Sequence, residues 1–120
     1  MAHNDNIQHL FTAIDRMDTP AFLSHLTDDV TFTFGNWPPV KGLGAVEAAV
    51  DQFFSSIAGL SHKLGNSIYT ASHIVIQGQV TYTRKSGSTL TVPFCNVFGM
   101  VGEKIRTYEI FADISALYTE

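Results

Sequence analysis

Apolar residues recur at helical spacing in the first half of the chain and at every second position in the second half. Ile7, Leu10, Phe11, Ile14 and Met17 fall on one helix face, with Asn4 or Asp5 placed to cap it. "DTPAFLSHL" predicts a short second helix with Thr19 as N-cap and Pro20 at the first helical position, and the following "TDD" ends it. "VTFTF" alternates as a short strand, whereas "GNWPPVKG" carries too many Pro and Gly to stay in a sheet and reads as a loop. Val46, Val50, Phe53, Phe54 and Ile57 then mark a third amphipathic helix.

From residue 60 the period is two. Leu60, His62, Leu64 and Ile68 share one side of a strand, and Ile74, Ile76, Val80 and Tyr82 share one side of the next, with Gly78 read as a bulge. "RKSGS" is a hairpin turn. Leu90, Val92, Phe94, Asn96, Phe98 and Met100 align on the following strand, and "VGEK" turns into the last one. There Ile105, Thr107, Glu109, Phe111 and Asp113 occupy one side and Arg106, Tyr108, Ile110 and Ala112 the other; the first set is read as the interior side. His62, Asn96 and Asp113 are thus polar intruders on apolar faces, and a carboxylate so placed costs several kcal/mol, roughly, unless it is paired or protonated. Asp113 either projects into a pocket or, standing before "ISALY", caps a final turn. Glu109 and Asp113, four strand positions apart, are separated by about 13 Å, too far to share a proton.

Helices followed by a bulged meander give an α+β fold, a single domain over residues 1–120. A curved antiparallel sheet wraps around the N-terminal helices and forms a cone with an apolar pocket. At 45% hydrophobic residues the chain has material for a real core. A net charge of -4, with only seven Lys and Arg, leaves no basic surface for nucleic acid. Cys95 is the single cysteine, the N-terminus shows no signal pattern, and no apolar run approaches a membrane span, so a soluble cytoplasmic protein is expected. The five histidines show no metal-ligand spacing, and "GLGAVE" lacks the third glycine and the preceding strand of a dinucleotide fingerprint. Neither a metal nor a cofactor is expected.

The order of elements, together with "DDVTFTF", "PPVKGLGAVEAAVDQFF", "SHKL", "VTYTRKSG" and "GEKIRTYEIFAD", resembles the SnoaL-like (polyketide cyclase-like) branch of the nuclear-transport-factor-2-like, or ketosteroid isomerase-like, superfamily over nearly the whole chain. The resemblance implies a cone-shaped cavity, and it covers enzymes and non-catalytic members alike. Against the epoxide hydrolases of that superfamily, Phe32 and Phe34 stand where water-holding residues are expected, and the Arg-x-Asp motif has no Asp near Val80 to Tyr82. The proton-abstracting Asp of ketosteroid isomerase would fall near Phe34. His62 looks similar in position to a histidine of scytalone dehydratase, and Asp113 to the late Asp of the polyketide cyclases.

These residues define the expected site. His62 oriented by Asp113 can move a proton, Asn96 can hydrogen-bond a developing enolate or carbonyl oxygen, and Phe32, Phe34, Trp37, Tyr82, Phe94, Phe98, Glu109 and Phe111 are the expected ligand-binding wall. His62 and Asn96 read equally as hydrogen-bonded structural residues, Trp37 as a lid or a core plug, and Glu109 as the partner of a surface cation or a second subunit. Two functions follow: a cofactor-free isomerase, cyclase or lyase acting on a small apolar carbonyl or ring compound, or a non-catalytic ligand-binding or structural domain. A homodimer through the sheet is expected, because Pro93, Cys95, Val97, Tyr108, Ile110 and Ala112 would otherwise leave an apolar outer patch.

Overall fold

The computed structural model of the chain describes residues 2–119, with side chains from residue 5 onward. Helix α1 spans Ala2–Asp15 and buries Ile7, Leu10, Phe11 and Ile14, the stripe its spacing dictates. It already runs at Ala2, so Asp5 lies in its first turn instead of capping it; the side chain of Asn4 is outside the described residues. Its end is a left-handed turn. Met17 takes φ 54°, the Met17 amide donates to Ile14 O at 2.8 Å and the Asp18 amide to Ala13 O at 2.9 Å, which leaves Asp15 as the last helical residue.

Helix α2, Thr19–Leu23, is capped by Asp18 and not by Thr19: the Asp18 carboxylate accepts the Ala21 amide at 3.2 Å. Thr19 is buried and donates its hydroxyl to Asp51 Oδ1 at 2.5 Å, tying α2 to helix α3, Leu43–Ser55. Between them lie strands β1, Leu26–Phe34, and β2, Val40–Lys41. Strand β1 starts earlier than "VTFTF" and takes in "TDD", because Leu26 pairs with Ile105 and the Ile105 amide donates to His25 O at 2.8 Å. The remaining strands are β3, Gly59–Tyr69; β4, His73–Thr83; β5, Thr89–Val101; and β6, Lys104–Ala112.

The six strands make one curved, unclosed sheet in the order β2-β1-β6-β5-β4-β3, against which α1 packs on β3 and α3 on β1. Every pairing is antiparallel except β1 with β6, which is parallel. Among the described residues no helix is long and apolar enough to cross a membrane.

Two bulges decide which side chains face inward. In β3 the pairs Leu64↔Gly78 and Ser67↔Ile76 leave Gly65 and Asn66 opposite Gln77 alone, so the extra residue lies in β3 and not at Gly78. Gly78 answers a different need: a Cβ there would collide with Lys63 O and stand 3.0 Å from Phe94 Cε1. Beyond this bulge Ile68 turns outward and is 53% exposed, so it does not share the side of Leu60, His62 and Leu64. In β6 the pairs Met100↔Ile105 and Gly99↔Thr107 leave Arg106 without a counterpart. One extra residue inverts the alternation. Ile105 is buried before it, and Tyr108, Ile110 and Ala112 face the core after it, while Thr107, Glu109 and Phe111 face out. The expected faces of this strand are therefore exchanged past Arg106. The C-terminal segment is turns, pinned by Arg84, whose Nε donates to Leu117 O and Nη2 to Ala116 O, both at 2.9 Å.

Candidate functional site

A cavity of about 80 Å³ lies between the sheet and α3. Of the residues expected there, Phe32, Phe34, Trp37, His62, Tyr82, Phe94 and Asn96 line it, joined by Tyr108 and Ile110, which the β6 bulge turns inward. Phe98 lies behind the wall, fully buried, its ring centroid 4.5 Å from that of Tyr108. Glu109 and Phe111 stand on the opposite face of the sheet, with Phe111 54% exposed. Trp37, in the loop after β1, rests on Phe34 and Phe53 with ring centroids 5.3 and 6.3 Å away and closes one side of the cavity.

The expected pairing of His62 with Asp113 does not form. Asp113 is exposed past the end of β6, where its Oδ1 accepts the Ser115 amide at 2.9 Å, and that turn-closing contact holds its carboxyl below the usual range. His62 is held instead by Asp15. Its Nδ1 lies 2.6 Å from Asp15 Oδ1, and its backbone amide donates to Asp15 Oδ2 at 3.0 Å. Because β3 is an edge strand, that amide has no further strand to bond, and the carboxylate satisfies it while gripping the ring. Phe11 and Phe94 complete the clamp, with ring centroids 4.9 and 5.1 Å from the imidazole.

A carboxylate accepts, so Nδ1 carries the hydrogen of this contact, and in a neutral imidazole the lone pair is then on Nε2; His62 lines the cavity. The imidazole is thus presented to a ligand in one tautomer and one orientation, the arrangement a general base requires. Asp15 carried a readable signal. Ile7, Phe11 and Asp15 are spaced by four, which puts the carboxylate on the apolar stripe of α1, and an acidic last residue opposes the helix dipole.

Asn96 is the second polar group of the wall. It is 2% exposed, and its Oδ1 finds no hydrogen-bond donor among the described residues. The strand register explains this: its lateral neighbours on the core side are Ile76 of β4 and Ile110 of β6, which have nothing to give. An unsatisfied buried carbonyl costs about 1–3 kcal/mol. Tyr82 and Tyr108 supply hydroxyls. Burial, and then the proximity of another tyrosine, Tyr118 for the first and Tyr82 for the second, push both phenols above their ordinary range, so they remain hydrogen-bond donors. Among the described residues no Lys or Arg lines the cavity.

Comparison with known proteins agrees with this architecture. No curated protein matches the sequence. Among solved structures, an NTF2-like protein of unknown function from Burkholderia pseudomallei K96243 superposes with a TM-score of 0.87 at 21% identity, covering 98% of this chain and 95% of that one. TerC co-crystallised with polyporic acid gives 0.85 at 18% identity, with 98% and 96% covered. A protein assigned as a SnoaL-like polyketide cyclase from Jannaschia sp. CCS1 gives 0.83 at 18% identity, with 98% and 89% covered. At such identities the likeness establishes the fold and leaves the chemistry to the site. The family model for the SnoaL-like domain matches residues 7–108, and the chain belongs to that family.

Proposed function

We propose that the protein is a cofactor-free acid/base enzyme of the isomerase, cyclase or lyase kind, acting on a small apolar carbonyl or ring compound. The observation that carries this reading is the two-pronged grip of Asp15 on His62, a residue that lines an otherwise largely apolar cavity. His62 abstracts or returns a proton and Asp15 positions it and balances the imidazolium formed in between; the aromatic wall holds the ring and excludes water. Solved neighbours that include a protein assigned as a polyketide cyclase and an epoxide hydrolase support a catalytic use of this cone.

The test is hydrogen exchange at carbon. The α-hydrogens of cyclopentanone, followed by NMR in D₂O, should exchange faster with protein than with buffer, and His62→Ala should remove roughly 10²–10⁴-fold of that acceleration. Asp15→Asn should lower it while ¹⁵N shifts of the ring show loss of the single tautomer. Asp113→Asn should leave it unchanged, because that carboxylate only closes a turn. Binding without His62-dependent exchange favours the second reading, a ligand-binding domain without turnover, which the TerC complex with polyporic acid also accommodates.

A further inference from the structure

The cavity holds about 80 Å³, roughly half the space of an apolar cavity of about 150 Å³ that takes up benzene, so its closed form admits only a small head group. Beyond Trp37 the space continues. The indole is also a wall of an open groove of about 570 Å³ between the loop after β1 and the C-terminal turns, and among the described residues it alone lines both spaces. Strand β6 runs along both: Tyr108 and Ile110 of its inward row line the cavity, and Ala112, the next residue of that row, lines the groove. The groove is aromatic. Trp37, Phe111 and Tyr118, three of the six large apolar side chains left exposed among the described residues, line it together.

This partition is fixed at its backbone and loosely held at its side chain. Gly35 N donates to Ile110 O at 2.8 Å and Trp37 N to Phe34 O at 3.0 Å, and Pro38 further restricts the backbone of Trp37. The indole, by contrast, is 43% exposed and rests on Phe34 and Phe53 by ring packing. A change of rotamer moves it without disturbing the loop. We propose that Trp37 is a rotating partition, and that the groove behind it is a second subsite holding an apolar substituent of a ligand whose small ring or carbonyl head occupies the cavity. The inference rests on the proposed reading of the cavity and narrows its substrate class to small-ring carbonyl compounds that carry an alkyl side chain. A bare ring leaves the aromatic groove facing water, whereas a side chain covers it.

The experiment is an NMR titration of ¹⁵N-labelled protein with cyclopentanone and with 2-pentylcyclopentanone, following the indole N–H of Trp37, the single tryptophan, and the His62 ring. The wild type should bind the pentyl compound roughly ten-fold or more tightly, which is less than the about four-fold per methylene of full burial because the groove is open. The Trp37 indole signal should move far more with the pentyl compound than with cyclopentanone. Tyr118→Ser should cut the pentyl advantage by about three-fold or more, whereas Tyr118→Phe, which loses the 2.6 Å contact with Ser56 Oγ but keeps the ring, should retain it. The advantage should persist in His62→Ala, which separates the subsite from proton transfer. Equal affinity for the two ketones would overturn the inference, as would an advantage undiminished in Tyr118→Ser or an indole signal that the pentyl compound does not shift. Cyclopentanone binding with no pentyl advantage would remove the subsite alone; binding by neither ketone would overturn both the subsite and the cavity reading beneath it.

Discussion

A carboxylate on the last residue of a helix faces the negative end of the helix dipole, an unfavourable placement worth about 0.3–1 kcal/mol when nothing compensates. Asp15 has its compensation in His62, and a local rule broken where a distant partner mends it is a mark of a working site. The sequence showed half of this pair. His62 and Asn96 stood out because each interrupts a run of apolar alternate residues, whereas Asp15, although spaced with Ile7 and Phe11 on α1, had no visible partner, and the fold brings it to a residue 47 positions along the chain. The two buried tyrosines give a prediction at this scale. Folding raises the pKa of Tyr82 and Tyr108, so the folded chain retains protons that the unfolded chain releases from about pH 10 upward. Stability contributed by burying these neutral phenols is complete below about pH 10 and is lost as the pH climbs toward the folded-state values. Phenolate absorbance from these residues should appear only together with loss of near-ultraviolet circular dichroism. Tyr108→Phe should make the alkaline decline of stability shallower; an unchanged slope would mean that Tyr108 ionises within the folded protein.

Helices and strands announce themselves by period, but a bulge has no period. The stripe of α1 and the alternation of β4 and β5 are where the spacing put them, since nothing interrupts their phase. In β6 the apolar residues Tyr108 and Ile110 on one side and Phe111 on the other were nearly balanced, so hydrophobicity alone did not select a face. Pairing did: β5 presents Phe98 and Asn96 inward, and register opposes them to Tyr108 and Ile110, which requires Arg106 to be looped out. That single residue therefore sets the lower wall of the cavity and sends Glu109, Phe111 and Asp113 away from it. Its side chain is largely exposed and lies 3.4 Å from an equally exposed Asp29, so Arg106→Ala should change stability by less than about 1 kcal/mol. Deleting Arg106 would leave Ile105 opposite Met100 and Thr107 opposite Gly99 with no extra residue between them, so Tyr108 and Ile110 would stay inward. The expected outcome is a chain that still melts cooperatively. A deletion variant without a cooperative transition would show that the bulge itself, and not the pairing on either side of it, holds this strand in place.

At the scale of the whole molecule, the α+β cone was legible because helical and strand patterns occupy separate stretches, and a curved sheet with helices on one face leaves its other face to be accounted for. That outer face carries Val75, Cys95 and Val97, half-buried, with Pro93, Ile68 and Phe111 exposed around them. The register makes them neighbours, in the rows Ile68–Val75–Val97 and Gln77–Cys95–Phe111. Tyr108, Ile110 and Ala112 leave the patch that the sequence suggested, yet Phe111 and Ile68 enter it through the two bulges, so its apolar character is kept. A contiguous patch of this kind at the middle of a sheet is a site for association, and a second copy offers a complementary surface by symmetry. Two protomers are therefore expected to pair sheet to sheet, with sedimentation giving a dimer at micromolar concentration. Cys95, the single thiol of the chain, lies inside the patch and would approach its symmetry mate across the contact, so a short bismaleimide should cross-link the dimer through it. Val97→Arg should yield a monomer that keeps the wild-type circular dichroism, because the substitution touches the outer face alone. A monomeric wild type would refute the pairing, and efficient dimerisation of Val97→Arg would place the contact on another surface.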